Sequence, residues 1–386
     1  MSRSVRPVTS AATLVLLGLA FVPAGIGSAR APTAPEQMPS SANTDVSAPA
    51  LSFTGRYIAH RAIRRDLASP PQQIRRTDVT TGGSELLNPS IDGGVARGNN
   101  SFPLVISANG ARITFSSSAT RLVPGDTNGR ADAFVRDAVS DTTLLASVAY
   151  DGDVANGGTG MTSLSKNGRY VVFTSSATDV VPGSTTTNLD VYRRDLANQV
   201  TVQVTVRPNG APSRGPGSTT ADVSADGNLV AFNSADADLL ATDDADQEAD
   251  LYLRNMTTHT TRWLSRGIPS GANPSGVVLS PDGCWVSSRW DDGSLHLTRV
   301  ATGVTSAVAP NAYALLGSFS SQLGRFVFVA DGQPYVRTLA TGVDTPIATP
   351  AGGLVNSVSI SGDGRIAAYD WFPDDGGPSL IFRVAL

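Results

Sequence analysis

The chain alternates short apolar runs with tight polar turns, and its repeated units show no helical periodicity. The stretch Ser165-Lys166-Asn167-Gly168-Arg169-Tyr170-Val171-Val172-Phe173 displays the pattern: a strand end, a tight turn, a second strand. Its Ser-x-x-Gly frame recurs at Ser52–Gly55, Ser107–Gly110, Ser224–Gly227, Ser280–Gly283, Ser321–Gly324 and Ser361–Gly364. Self-similarity at such a period is the mark of a repeat array. Asn-Gly or Asp-Gly supplies the positive-φ positions of a tight turn in five copies, from Asn109-Gly110 to Asp363-Gly364. The β-branched and aromatic runs that follow, such as Ile113–Phe115, Tyr170–Phe173 and Leu229–Phe232, read as strands.

Each unit obeys one grammar. Strand a ends in the Ser, strand b follows the Gly, a loop leads to strand c, and a short turn leads to strand d. Strand c aligns across units as Asp132–Asp137, Asp190–Asp195 and Asp250–Asn255. Four antiparallel strands per unit predict an all-β fold, a β-propeller of seven four-stranded blades, with six as the alternative count. The seventh unit stops at Leu386 after its third strand. The expectation is that an N-terminal strand around Thr44–Ser47 closes the ring. The domain reading is a signal peptide over 1–29, a flexible linker with the closing strand over 30–49, and the propeller over 50–386.

The turn-strand unit Ser-x-Asp/Asn-Gly-Arg-x-x-x-Phe, with Asp-Val-Tyr-x-Arg-Asp further on, resembles the TolB-like propeller family, which is related in shape to WD-repeat propellers. The resemblance spans about 50–386 and is best in blades 2, 3 and 4. Blade 5 departs from it, with Cys284-Trp285 and Ser288 in place of the Arg-aromatic pair and the Phe. Blade 6 lacks the Asp or Asn before its Gly. The resemblance implies a fold and says little about function. TolB carries an α/β domain before its propeller, and this chain has only a short linker there, so the envelope role of TolB is not carried over.

Composition adds exclusions. Of 386 residues, 40% are hydrophobic and 16% charged, which suits a folded globular chain. A net charge of −4 argues against nucleic acid as a partner. Lys166 is the only lysine, read here as a compositional bias toward Arg. Arg3 and Arg6, the apolar run Ala11–Ile26 and the small residues Gly27-Ser28-Ala29 form an export signal, which predicts a secreted or cell-envelope protein. No other stretch is long enough to span a membrane. Cys284 is the only cysteine, so a monomer would hold no disulfide.

The a–b and c–d turns fall on one face of the disc and the b–c and d–a loops on the other. The latter are long in blades 1 to 4 and rich in Gly, Pro, Asn and Asp, which marks them as a binding face. Asp126, Asn128 and Asp132 resemble part of a calcium loop, and Asp243, Asp244, Asp246 and Asp250 form the most acidic segment. The plainer reading of both is turn formation and solvation. Asp132, Asp190 and Asp250 would be either a ring of carboxylates or ties between loop and strand c, through Arg136, Arg194 or Arg254. Trp290 and Trp371 are candidates for a carbohydrate-stacking surface. The three histidines fall in blades 1, 4 and 5, and no nucleophile elbow or phosphate loop is present. The favoured reading is a secreted, non-enzymatic propeller that binds a protein or envelope ligand through its long-loop face. A propeller enzyme acting on polysaccharide is the alternative.

Overall fold

The computed structural model describes residues 34–184, 187–241, 248–265 and 273–386, with the side chains of 101–103 left aside. The export signal and Asp243, Asp244 and Asp246 lie outside the described residues. Seven antiparallel four-stranded sheets stand around one axis, and the described residues contain no helix. The chain is a seven-bladed β-propeller. Strand a of each blade lies nearest the axis. Thr44–Leu51 touches Asn100–Ile106, which touches Thr159–Leu164, which touches Ala221–Val223. Gly353–Ile360 of the last blade touches Thr44–Leu51 and closes the circle.

The closing strand is N-terminal, as expected, but it is Glu36–Gln37 and not Thr44–Ser47. Glu36 lies opposite Arg383 and Gln37 opposite Phe382, and the Met38 N–H donates to the Ile381 carbonyl at 2.8 Å. Thr44–Leu51 instead forms the inner strand of blade 1, with Val46, Ala50 and Leu51 buried. The reason is apolar content. An inner strand must bury side chains on both faces, whereas an outer strand needs only ladder hydrogen bonds.

The serine of the repeated frame works as a latch. Its Oγ accepts the N–H of the residue five places on, at 2.9 Å from Arg112 to Ser107 and from Tyr170 to Ser165. It also bonds the Asn or Asp two places on, at 2.7 Å for Ser165 and Asn167. In blade 6 the latch is Ser320, whose Oγ accepts from Arg325 N at 3.0 Å, and not Ser321. That one-place slip puts Leu323 where every other blade has the turn Gly, at φ +63°. At Gly110 and Gly227 a Cβ would also collide with the rings of Tyr57 and Tyr170 from the preceding blade.

Between blades, one aromatic pair recurs. The fifth residue after the turn Gly lies directly opposite a strand-c residue. The pairs are Phe115–Phe134, Phe173–Tyr192, Phe232–Tyr252, Phe328–Tyr335 and Tyr369–Phe382, with ring centroids 5.4 to 5.9 Å apart. Each packs against the preceding blade, as Phe173 and Tyr192 do against Val135 and Ala133. Two blades break the rule. Blade 5 has Ser288 opposite His296, and blade 1 has His60 opposite Arg75.

Candidate functional site on the long-loop face

The three strand-c carboxylates are ties to strand d, buried at Asp132 and Asp190 and half-buried at Asp250. Asp132 and Asp190 each accept from a hydroxyl at the end of strand d, Ser147 and Thr205, both at 2.8 Å, and Asp250 does so from Ser265. The same hydroxyls accept the N–H of the residue after each Asp: Ala133, Val191 and Leu251. Ser213 adds a further bond to Asp190 at 2.9 Å. Burial pushes the Asp132 carboxyl up to about 6. The ties do not run through the arginines. Arg136 pairs with Asp141, and Arg194 and Arg254 donate to Thr201 and Thr261, all toward strand d and its turn.

Asp126 is buried, and its Oδ1 has no hydrogen-bond partner. Asn128 turns its amide nitrogen toward Asp132 Oδ2, at 2.8 Å, and its Oδ1 accepts from Arg130 N. The pair therefore offers one oxygen set, not two, to any shared cation. Among the described residues no three His, Cys, Asp or Glu side chains gather to hold a metal. Trp290 lies flat on His296, ring centroids 3.7 Å apart and 7° from parallel, with its indole N–H on Ser288 Oγ. Trp371 is half-buried, edge-on to Phe382, in the core between blades 6 and 7.

The long loops brace one another. The d–a loops after blades 1, 2 and 3 each fold a small hairpin, closed by the bridges Pro89–Val95, Val148–Val154 and Val206–Pro212. Each hairpin leans on the next blade's b–c loop. The Ile91 N–H donates to the Arg121 carbonyl at 2.9 Å, and Asp92 pairs with Arg121. The Tyr150 N–H donates to the Asp179 carbonyl at 2.8 Å, and Asn156 bonds both Thr178 and Asp179. In the third hairpin Arg207 pairs with Asp238 at 3.8 Å, and beyond the hairpin the Gly217 N–H donates to Asp236 Oδ1 at 2.8 Å. At the same turn position the three hairpins display Ile91, Tyr150 and Pro208; Ile91 is 50% and Tyr150 65% exposed, and Pro208 is exposed too. The sequence carries this second repeat as Asp92-Gly93, Asp151-Gly152 and Asn209-Gly210. It is hidden there because Asp-Gly and Asn-Gly also mark the a–b turns.

The axis is the other place where reactive groups meet. Lys166 and Asp222 line one small axial cavity with Val105, Leu164, Leu279 and Phe319. Its volume is about 20 Å³, room for roughly one water. Asp222 accepts from Ser163 Oγ at 2.5 Å and from the Val223 and Leu279 N–H groups at 2.8 Å. Burial pushes its carboxyl up to about 6, and burial lowers the Lys166 ammonium. The turn face is laced by backbone bonds from blade to blade: Phe53 to Ala108, Ala108 to Lys166, Asn167 to Ala225, Ala225 to Pro281, Ser321 to Gly362 and Asp363 to Phe53. Sequence reasoning passed over Lys166. Its one signal was a lone lysine inside the turn frame.

No protein-family model matches the chain, and no curated protein matches it. Solved structures do resemble it. An oligogalacturonate lyase from Vibrio parahaemolyticus superposes with a TM-score of 0.60 at 10% identity, covering 92% of this chain and 96% of its own. An oligogalacturonate lyase in complex with manganese gives 0.58 at 12% identity, covering 91% and 92%. At these identities the likeness is one of fold. A TolB from Agrobacterium tumefaciens gives 0.44 at 15% identity, over 68% of this chain and 79% of its own, too low to carry an argument. His60, His259 and His296 sit in blade 1, in the c–d turn of blade 4 and in blade 5. No helix among the described residues is long and apolar enough to cross a membrane.

Proposed function

We propose that this propeller is an exported, non-enzymatic scaffold that binds a protein or envelope ligand through its long-loop face. The observation that carries the reading is the row of apolar hairpin tips, Ile91, Tyr150 and Pro208, each braced against the next blade: Ile91 and Tyr150 through their own N–H groups, and Pro208 through the adjacent Arg207, which pairs with Asp238. Rigidly held, exposed apolar residues at loop tips are what a partner surface needs, and they add nothing to the fold itself. The polysaccharide-enzyme alternative has the likeness to the lyases in its favour, and that likeness is one of fold alone. An enzyme of that kind also requires a reachable acid or base. Asp132 and Asp222, whose carboxyls are raised to about 6, are each tied by hydrogen bonds inside the protein.

The test pairs binding with turnover. Purified chain is sedimented with isolated envelope of the producing cell, beside an Ile91→Asp/Tyr150→Asp variant. The reading expects wild type to co-sediment, the variant to stay in solution, and both to melt at the same temperature. Equal sedimentation of the two proteins overturns the assigned face. Release of new reducing ends from polysaccharide by the wild type would favour the enzyme instead.

A further inference from the structure

The departure of blade 1 from the aromatic rule leaves a cavity. In five blades the paired rings fill the space against the preceding blade. In blade 1 that position holds His60 and Arg75, and the facing blade 7 ends in a strand of only two residues. A cavity of about 490 Å³ opens there, within the range of small-molecule sites. Blade 5 makes a similar polar swap, but there Trp290 stacks on His296. Among the described residues no ring stacks on His60.

The wall of this cavity is a wired polar row. Arg75 Nε donates to Ser84 Oγ at 3.0 Å, Ser84 Oγ and Thr77 Oγ1 are bonded at 3.2 Å, and Thr77 Oγ1 meets His60 Nε2 at 3.0 Å. His60 Nδ1 lies 3.3 Å from the Arg61 carbonyl. Burial, with the Arg75 charge adding to it, lowers His60 to about 4, so the ring is neutral at pH 7. Among the described residues Arg75 has no carboxylate partner. Its bonds go to Ser84 Oγ, the Ser84 carbonyl and Gln73 Oε1, three of the five N–H donors it owns. Arg64, which also lines the cavity, is already neutralised by Asp66. Val46 and Ala62 add an apolar surface, and Ser41 and Thr44 place hydroxyls at the edge.

We infer that the seam between blades 7 and 1 is a binding site for a small hydroxylated monocarboxylate, a hydroxy acid or sugar acid, held by the free N–H groups of Arg75. One uncompensated cation calls for one negative charge. A planar guanidinium matches a carboxylate, and the hydroxyl-lined wall and edge match a polyol chain. The site lies away from the long-loop tips and stands or falls without them.

The chain has only three histidines, so His60 is a local reporter. Its imidazole NMR signal is identified by its loss in His60→Gln. Gluconate is titrated in, with glucose and inorganic phosphate as controls. The expected result is a saturable shift of the His60 signal by gluconate alone, lost at least about tenfold in affinity in Arg75→Gln, as befits a charge-assisted hydrogen bond. Thr44→Trp, which fills the cavity and leaves the Arg75 bonds intact, abolishes the shift too. No movement of the His60 signal, an equal response to glucose or phosphate, or unchanged binding in Thr44→Trp overturns the assignment.

Discussion

The interface between blades 2 and 3 and the seam between blades 7 and 1 are built on the same plan with opposite contents. In the first, Phe173 and Tyr192 are fully buried and stack at 5.6 Å against the alanine and valine faces of blade 2. In the second, His60 and Arg75 hold the same two positions, and a cavity takes the place of the rings. Identical backbone registers thus support either a dry core or a wet pocket. The difference lies in two side chains and in the length of the strand that closes the ring.

That comparison can be broken from either side. Phe173→Ala removes a fully buried ring from a close-packed interface and is expected to lower the unfolding free energy by about 3–5 kcal/mol in urea denaturation. His60→Ala, at the equivalent seam position, already borders a void and should cost far less. A similar loss at both sites would dissolve the distinction between them.

The seam should also titrate where the dry interface does not. His60 is lowered from 6.5 to about 4 in the folded protein. The unfolded chain therefore binds the extra proton between those values. The stability from burying a neutral ring is complete above about pH 6.5 and is lost as pH falls toward 4. Wild type should weaken relative to His60→Gln across that window by up to about 3 kcal/mol, taking about 1.4 kcal/mol per unit. A difference in melting temperature between the two proteins that is constant from pH 4.5 to 7.5 would contradict this. Asp132 and Asp222, raised to about 6, act in the opposite sense over roughly pH 4 to 6, in both proteins alike.

Restoring the rule at the seam is the converse experiment. His60→Phe with Arg75→Tyr places the aromatic pair of the other blades into the cavity and should stabilise by about 1–2 kcal/mol, as cavity-filling changes commonly do. The same variant should no longer bind gluconate. The smallest effect belongs to the slipped turn of blade 6. Leu323 is exposed and held at φ +63°, so Leu323→Gly should stabilise by about 1 kcal/mol or less, the left-handed strain being offset in part by the freedom glycine gains when unfolded. A destabilised Leu323→Gly would mean that its side chain makes a contact worth more than the strain.

Much of the fold was legible because a repeat states its rule many times. The turn glycines, the latch serines and the strand-c aspartates announced blade count and strand order. Legibility failed where an element carries no pattern. Glu36–Gln37 is two polar residues, too short for alternation to register, while Thr44–Leu51 nearby had the apolar content of an inner strand. In blade 6 the Ser320-Ser321 doublet offered two frames, and the one with a glycine in the expected place was the wrong one. The candidate site was less visible still. Asp132, Asp190 and Asp250 were seen as a set, and the hydroxyls that absorb them, Ser147, Thr205 and Ser265, lie 15 residues further on and were not.

The sequence by itself determined that the chain is a ring of hairpin units, since each apolar two-faced sheet demands neighbours, and the turn residues set where every sheet bends. Only the tertiary structure decided which polar residues are interior ties and which are free. That depends on the partner each side chain meets across the ring. Asp132 finds Ser147 and is spent, whereas Arg75 finds no carboxylate among the described residues. Spacing along a chain records which strand a residue sits on, and it is silent on what the next blade presents to it.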